Sequence, residues 1–190
     1  MGQTPTREIH ISVGPLVGRP LSGKWTKGYS QQELDDAQAR FGLKFPPDLI
    51  ALYRDRRPLD GYDWTRDDQA IREMLAWPFE GLWFDVEHAN LWWPEWGDKP
   101  ADAKDRQAVL RRVVDSAPKL IPILSHRYLP EEPQEAGNPV FSVYQSDVIY
   151  YGANLEDYFA REFNGWNSRP WPNEIKRIRF WSTMVERNGD

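Results

Sequence analysis

Histidine and cysteine, common ligands of zinc and iron, are scarce in this sequence. It contains three histidines and no cysteine, so thiol nucleophiles, cysteine-ligated metals and disulfides are excluded. The densest cluster of metal-ligating types is Asp85, Glu87 and His88, with Glu80 and Glu95 close by. Zinc and iron sites need several such side chains at fixed geometry, often with two histidines one helical turn apart. No two histidines have that spacing, and we therefore predict no metal site.

Nucleophilic catalysis is equally poorly supported. His126 and Tyr128 follow a predicted strand, a common place for catalytic groups. Ser125 beside them lacks the G-x-S-x-G context that exposes a hydrolase nucleophile, and we expect His126 and Tyr128 to hydrogen-bond across the loop 130–137. The glycines nearest to a phosphate-binding pattern have neither dinucleotide nor P-loop spacing: Gly14, Gly18 and Gly23. We predict no catalytic residue, no cofactor and no enzymatic activity.

Tryptophan is unusually frequent, with 10 in 190 residues. Such large rings most simply fill the core or pack a loop onto it. If two or three of them are partly exposed beside carboxylates, they would instead form a protein-binding patch or stack on sugar rings. On that interpretation, the partner-binding residues are Asp63, Trp64, Asp85, Glu87, Trp92, Trp93, Glu95 and Trp96.

Acidic residues outnumber basic ones, 29 to 24, which gives a net charge of −5. A phosphate backbone rewards clustered positive charge, so direct nucleic-acid binding is not expected. The run from Glu131 to Glu135 is either a solvated loop or an acidic contact for a basic protein, and on the second interpretation Glu131 and Glu132 join the partner-binding set. An acidic balance also serves solubility alone.

Targeting signals are not apparent. The N-terminal residues contain no apolar core of signal-peptide length, and no stretch approaches the roughly 20 apolar residues of a membrane span. The absence of cysteine fits a reducing compartment. The sequence therefore predicts a cytoplasmic protein that makes no membrane contact.

Helices are predicted from caps and apolar spacing. Ser30 and Glu33 form a capping box at the start of a helix that Gly42 ends. Asn154 is a good cap for another helix at 155–163. A second helix is predicted to start within 45–48 and to end within 54–57, before Pro58, and further helices are predicted at 65–76, 105–117 and 173–187.

Strands are predicted around one central stretch. Apolar runs at 120–124, 140–144 and 148–151 are short, rich in β-branched or aromatic residues and bounded by turn residues. Only Gln145-Ser146-Asp147 separates the last two, which indicates a hairpin. Pro122 places the first run at a sheet edge or at a bend. A further strand is predicted at 81–86, with Leu82, Phe84 and Val86 on one face.

The segment from 30 to 163 resembles the SUKH superfamily of Smi–Knr-type domains. In its first part the resemblance rests on the capped helix, the G-x-x-x-P link at Gly42–Pro46 and the second short helix. In its second part it rests on Leu120–Ile123, on Gly137–Val140 leading into the hairpin, and on the helix after the hairpin. Many members have Asn-Gly after the second helix, whereas this chain has Asp60-Gly61. Membership would imply a non-enzymatic binding module. Bacterial members are often immunity proteins that neutralise a toxin, commonly a nuclease, and fungal relatives regulate cell-wall assembly.

We therefore expect a single α+β domain with a mixed, mainly antiparallel sheet of five or six strands and helices packed against it. Residues 1–29 would form an extension with a short strand at 9–13, and 164–190 a loop and helix on the same domain. The predicted function is a protein-binding module, most simply an immunity protein for a basic toxin. The alternatives are a regulatory scaffold, or a carbohydrate-binding or hydrolytic protein with two carboxylates about 5–10 Å apart across a tryptophan-rich cleft. The sequence predicts no particular oligomeric state.

Overall fold

The first described elements are two helices joined to a small sheet. The computed structural model describes residues 23–189, so the predicted strand at 9–13 lies outside the described residues. Strand β1 (Trp25–Lys27) pairs antiparallel with β2 (Arg56–Pro58). Between them lie α1 (Gln31–Phe41) and α2 (Pro47–Asp55). The predicted capping box is confirmed, because the Glu33 backbone N–H donates to Ser30 Oγ while the Ser30 N–H donates to the Glu33 carboxylate.

Helix α3 (Gln69–His88) corrects two predictions at once. The short helix at 65–76 begins later and continues, and the strand predicted at 81–86 is its C-terminal part. Pro78 lies inside this helix. Leu82 and Val86 are one helical turn apart and both buried, whereas Phe84 is exposed. Burial of positions four apart is the helical pattern, and strict alternation would have buried Phe84 as well.

The later helices agree better with prediction. Helix α4 (Ala103–Ser116) and helix α5 (Leu155–Asn164) lie close to the predicted ranges, and Asn154 caps α5 as expected by accepting from the Asp157 N–H. Helix α6 (Trp181–Asn188) is shorter than predicted, because the chain between 173 and 180 is not helical. A single 3-10 turn at Pro94–Trp96 connects α3 to α4.

The main sheet has four antiparallel strands in the order β3 (Leu120–Leu124), β4 (Arg127–Pro130), β5 (Val140–Tyr144) and β6 (Asp147–Gly152). The three predicted strands and their hairpin are confirmed, and β3 is an edge strand with an irregular register after Pro122. Strand β4 lies where no strand was predicted. The α+β class is confirmed. Residues 23–189 contain six strands, divided between two sheets, and every pairing among them is antiparallel.

The four-stranded sheet lies between two layers of helices. Alternate strand residues point to opposite faces, so Ile121, Leu129 and Val140 enter a core shared with α1, α2 and α5. Tyr128 and Phe141 enter a second core shared with α3, α4 and α6. The tail after residue 164 therefore packs on the same domain through α6. Helix α3 lies against the strand ends and positions the side chains described next.

Candidate functional site

Trp64 does not lie on a surface. Its side chain is 1% exposed and makes edge-to-face contacts with Phe41 and Phe45, whose ring centroids lie 5.6 and 5.1 Å away. The prediction that Trp64 contacts a partner is wrong, because a ring enclosed in the core is not accessible without unfolding its surroundings.

Asp85 is also a structural residue. It is 6% exposed and accepts hydrogen bonds from the Ser146 N–H at 2.8 Å and from the Ser146 hydroxyl. Gly81, one turn earlier, allows the close approach, since a Cβ there would lie 2.9 Å from Gln145 Cα. The carboxylate predicted to face a partner instead holds α3 on the β5–β6 turn.

Two carboxylates predicted to contact a partner, Glu87 near the end of α3 and Glu95 in the segment after it, are paired within the chain. Glu87 lies 2.8 Å from the Arg106 guanidinium. Glu95 accepts from Arg187, and this hydrogen bond lowers the pKa of Glu95. A general acid needs a raised pKa, so Glu95 has the opposite property to the one that the hydrolase alternative requires.

The other predicted acidic contacts are occupied in the same way. Asp63 lies between β2 and α3, where it pairs with Arg66 at 3.1 Å and accepts from Thr65. In the loop at 131–135, acceptors and donors are matched one to one: Glu131 with the Lys44 N–H at 3.1 Å, Glu132 with Arg179 at 2.8 Å and Glu135 with Lys176 at 2.8 Å. Exposed pairs of this kind are weak individually, but they reduce the negative field that a basic partner would encounter.

Three tryptophans do come together. Trp92, Trp93 and Trp96, here called the tryptophan corner, are partly buried, with Trp96 5.5 Å from Trp92 and 5.0 Å from Trp93 between ring centroids. Phe180 packs 5.8 Å from Trp93 on another side, and the Arg187 guanidinium lies 4.0 Å over the Trp93 ring. Most of the ring area is thus used to attach the segment after α3 to α6.

Phe180 reaches Trp93 through a strained turn. Its backbone has φ 67 and ψ −61, and the Trp181 N–H donates to the Arg179 carbonyl at 2.9 Å. This is a γ-turn of the rare positive-φ type. The turn is held by the Trp181 indole N–H, which donates to the Pro118 carbonyl at 2.7 Å, and by the Ile178 N–H, which donates to Ser182 Oγ at 2.8 Å.

A surface that the sequence interpretation missed lies on α3. Trp77 is 37%, Phe84 48% and Tyr144 53% exposed, and the rings of Trp77 and Tyr144 are 5.9 Å apart. Glu80 lies between Trp77 and Phe84 on the helix, and Asp147 pairs with Tyr144 in the β5–β6 ladder. Both carboxylates are exposed, and neither forms an ion pair within residues 23–189. We call these five residues the α3 aromatic face.

The spacing of Trp77, Glu80 and Phe84 is that of one helix side, and this was the available signal. It was obscured because Phe84 was assigned to a strand, on the same face as Leu82 and Val86. Tyr144 was recognised as a strand residue, but its outward direction depends on the register of β5 with β6. The α3 aromatic face thus combines exposed rings with carboxylates that form no ion pair within residues 23–189, and none of its five residues belongs to the predicted partner-binding set.

Other reactive groups are isolated. Ser125 Oγ lies 3.1 Å from His126 Nδ1 in the β3–β4 turn, and burial lowers the pKa of His126. Tyr128 does not bridge the loop at 130–137, because its hydroxyl donates to Met74 on α3. Within the described part of the chain, no group of three histidine, aspartate or glutamate side chains could hold a metal ion, and no helix has the length and apolar character to cross a bilayer.

Comparison of the chain with protein-family models, curated proteins and solved structures finds no match.

Proposed function

We propose that this protein is a non-enzymatic protein-binding module that engages a basic partner through the α3 aromatic face. The observation that carries the proposal is the exposure of Trp77, Phe84 and Tyr144 beside Glu80 and Asp147. Exposed aromatic side chains are frequent anchors of protein interfaces, where burial of one ring can dominate the binding free energy. Carboxylates free of internal partners are available to arginine and lysine side chains of another protein.

The charge of the surroundings supports the same choice of partner. The chain carries a net charge of −5, which favours encounter with a positively charged protein. The tryptophan corner fits this role less well, since Glu95 and Glu87 are already paired with Arg187 and Arg106. At the α3 aromatic face, guanidinium and ammonium groups of a basic partner would also stack favourably on the rings of Trp77 and Tyr144.

For the biological role, we propose an immunity protein that covers a toxin's active site or substrate surface, acting in the cytoplasm. This part draws on the resemblance to SUKH domains. The elements on which that resemblance rests are the capped helix α1, the β5–β6 hairpin and the following helix α5. A regulatory scaffold would differ in its partner alone, and no specific observation favours the carbohydrate-binding alternative.

The test is affinity capture of a partner by the tagged full chain from native lysate, at low and at moderate salt, followed by mass spectrometry. We expect one stoichiometric basic protein whose recovery falls with salt. Glu80→Lys should abolish its capture, whereas Glu174→Lys, at an exposed position before α6, should leave it unchanged. Recovery of the same partner by both variants would contradict the proposed surface.

Toxicity distinguishes the biological roles. Expression of the captured partner alone should arrest growth, and co-expression of the wild-type chain should restore it. If the partner is harmless, the immunity role is wrong and a scaffold role takes its place.

A further inference from the structure

A separate apolar cavity of about 330 Å³ opens between α1, α3, α4 and the start of β3. Most of its walls are apolar side chains from distant parts of the sequence: Phe41, Leu43, Leu75, Phe79, Leu120 and Trp181. The volume is at the lower end of the range for small-molecule sites. No residue of the α3 aromatic face contributes to its lining, so the cavity is a second and independent feature.

Among residues 23–189, no side chain that lines the cavity has a buried polar atom without a partner. Leu43, Phe79, Leu120 and Trp181 are buried, and the one polar atom among them, the Trp181 indole nitrogen, donates to the Pro118 carbonyl at 2.7 Å. A ligand inside must therefore be apolar, since a buried polar group without a partner is strongly disfavoured.

The mouth of the cavity is different in character. Arg111 and Lys119 line it together with Asp115, which leaves one positive charge in excess. The Arg111 guanidinium lies 3.2 Å from the centroid of the Phe79 ring. Stacking on this ring orients the plane of the guanidinium and leaves the N–H groups at its edge available to a ligand. The Lys119 ammonium donates to the Gly42 carbonyl at 2.6 Å. Neither cation forms an ion pair with a carboxylate of the described chain.

We propose that this cavity binds a small free carboxylic acid with an apolar tail, such as a medium-chain fatty acid. The tail occupies the space between Leu75, Phe79 and Trp181, and the carboxylate accepts hydrogen bonds from Arg111 and the remaining donors of Lys119. The planar guanidinium matches a carboxylate better than any other common anion-binding side chain. The inference does not rest on the proposed function, because the two sites share no residue.

The test is isothermal titration of the full chain with three ligands of equal tail length: octanoate, 1-octanol and octylammonium. We expect octanoate to bind at least about tenfold more tightly than 1-octanol, since charge-assisted hydrogen bonds are lost in the alcohol, and octylammonium to bind most weakly. Arg111→Gln should remove the preference for octanoate over 1-octanol. Arg112→Gln, an exposed neighbour on α4 that does not line the cavity, is the matched control and should retain that preference.

A second variant tests the apolar part. Leu75→Trp fills the cavity and should abolish binding of both octanoate and 1-octanol, with circular dichroism confirming that the helices remain. Absence of octanoate binding to the wild-type chain would overturn the proposal, and so would equal affinities for octanoate and octylammonium. Equal effects of Arg111→Gln and Arg112→Gln would also overturn it, because net charge alone would then explain the preference.

Discussion

The Tyr128 hydroxyl donates a 2.8 Å hydrogen bond to the Met74 carbonyl. In an uninterrupted helix, this carbonyl would accept from the N–H four residues later, but that residue is Pro78, which has none. Strand β4 therefore supplies the donor that helix α3 lacks. This explains how a proline is tolerated inside α3, and it connects the helix that carries the proposed binding surface to the sheet beneath it.

Tyr128→Phe is expected to lower the free energy of unfolding by about 1–3 kcal/mol, since the Met74 carbonyl would be left buried without a donor. The measurement is urea denaturation followed by circular dichroism. Tyr144→Phe, which removes an exposed hydroxyl, should have almost no effect.

The role of Pro78 is tested by a double-mutant cycle. In a Pro78→Ala background the helix regains its own N–H donor, so Tyr128→Phe should be less destabilising than in the wild type. Strictly additive effects of the two substitutions would show that the Tyr128 hydroxyl does not compensate for the proline.

Asp85→Ala should lower the free energy of unfolding by about 1.5–3 kcal/mol, because the carboxylate bonds both the N–H and the hydroxyl of Ser146. Amide hydrogen exchange at Ser146 should become faster as the β5–β6 turn loosens. Glu80→Ala removes an exposed carboxylate from the same helix and should change neither quantity. Unchanged exchange at Ser146 would contradict the proposed clamp.

Gly81→Ala should destabilise the protein, although alanine is favoured over glycine inside a helix by about 1 kcal/mol. The added Cβ would lie 2.9 Å from Gln145 Cα, so helix and turn would have to separate. The measurement is thermal unfolding, in which the melting temperature of Gly81→Ala should be lower than that of the wild type. A raised melting temperature would mean that α3 can move away from the β5–β6 turn without loss of stability.

Phe84→Ala and Trp93→Ala should have opposite profiles. Phe84 is largely exposed, so its removal should change stability by no more than about 0.5 kcal/mol while weakening partner binding about tenfold or more. Trp93 packs against Phe180 and Trp96, so its removal should lower the melting temperature and leave the affinity of the folded protein unchanged. The reverse result would return the binding surface to the tryptophan corner.

Asp48 should make stability depend on pH in the acidic range. Burial raises the pKa of its carboxyl, although it accepts from the Gly137 N–H at 2.9 Å. The folded state therefore favours the protonated form. The associated stabilisation is complete below about pH 3.9, the ordinary aspartate pKa, and is lost as the pH rises through the folded-state pKa. Urea titrations over this range should show that dependence in the wild type and a weaker one in Asp48→Asn.

Local interactions explain what the sequence predicted correctly. The capping box of Ser30 and Glu33 and the Asn154 cap each join residues within one helical turn, and the β5–β6 hairpin joins neighbouring strands. Such signals need no knowledge of the rest of the chain. The α+β class follows from them, since they define which segments are helices and which are strands.

Residues 81–86 form part of helix α3 and not the predicted strand, for a reason that is not local. The residues on both sides of Pro78 are helical because Tyr128, 54 positions away, satisfies the Met74 carbonyl, and no local pattern announces that bond. The same holds for the last helix, whose start depends on the contact between Trp181 and Pro118 across 63 positions.

The sequence alone therefore determined that aromatic rings and carboxylates would be abundant, that histidine would be scarce and that cysteine would be absent. Only the tertiary structure decided which of them face solvent. Trp64 and Asp85 became interior because neighbouring elements cover them, and Glu95 is paired because Arg187, 92 positions later, folds onto it. Trp77 and Phe84 stayed partly exposed because the described residues cover only part of this side of α3, where the Trp77 indole N–H donates to the Val143 carbonyl of β5 at 3.2 Å. Exposure is a property of packing between distant segments, and composition does not contain it.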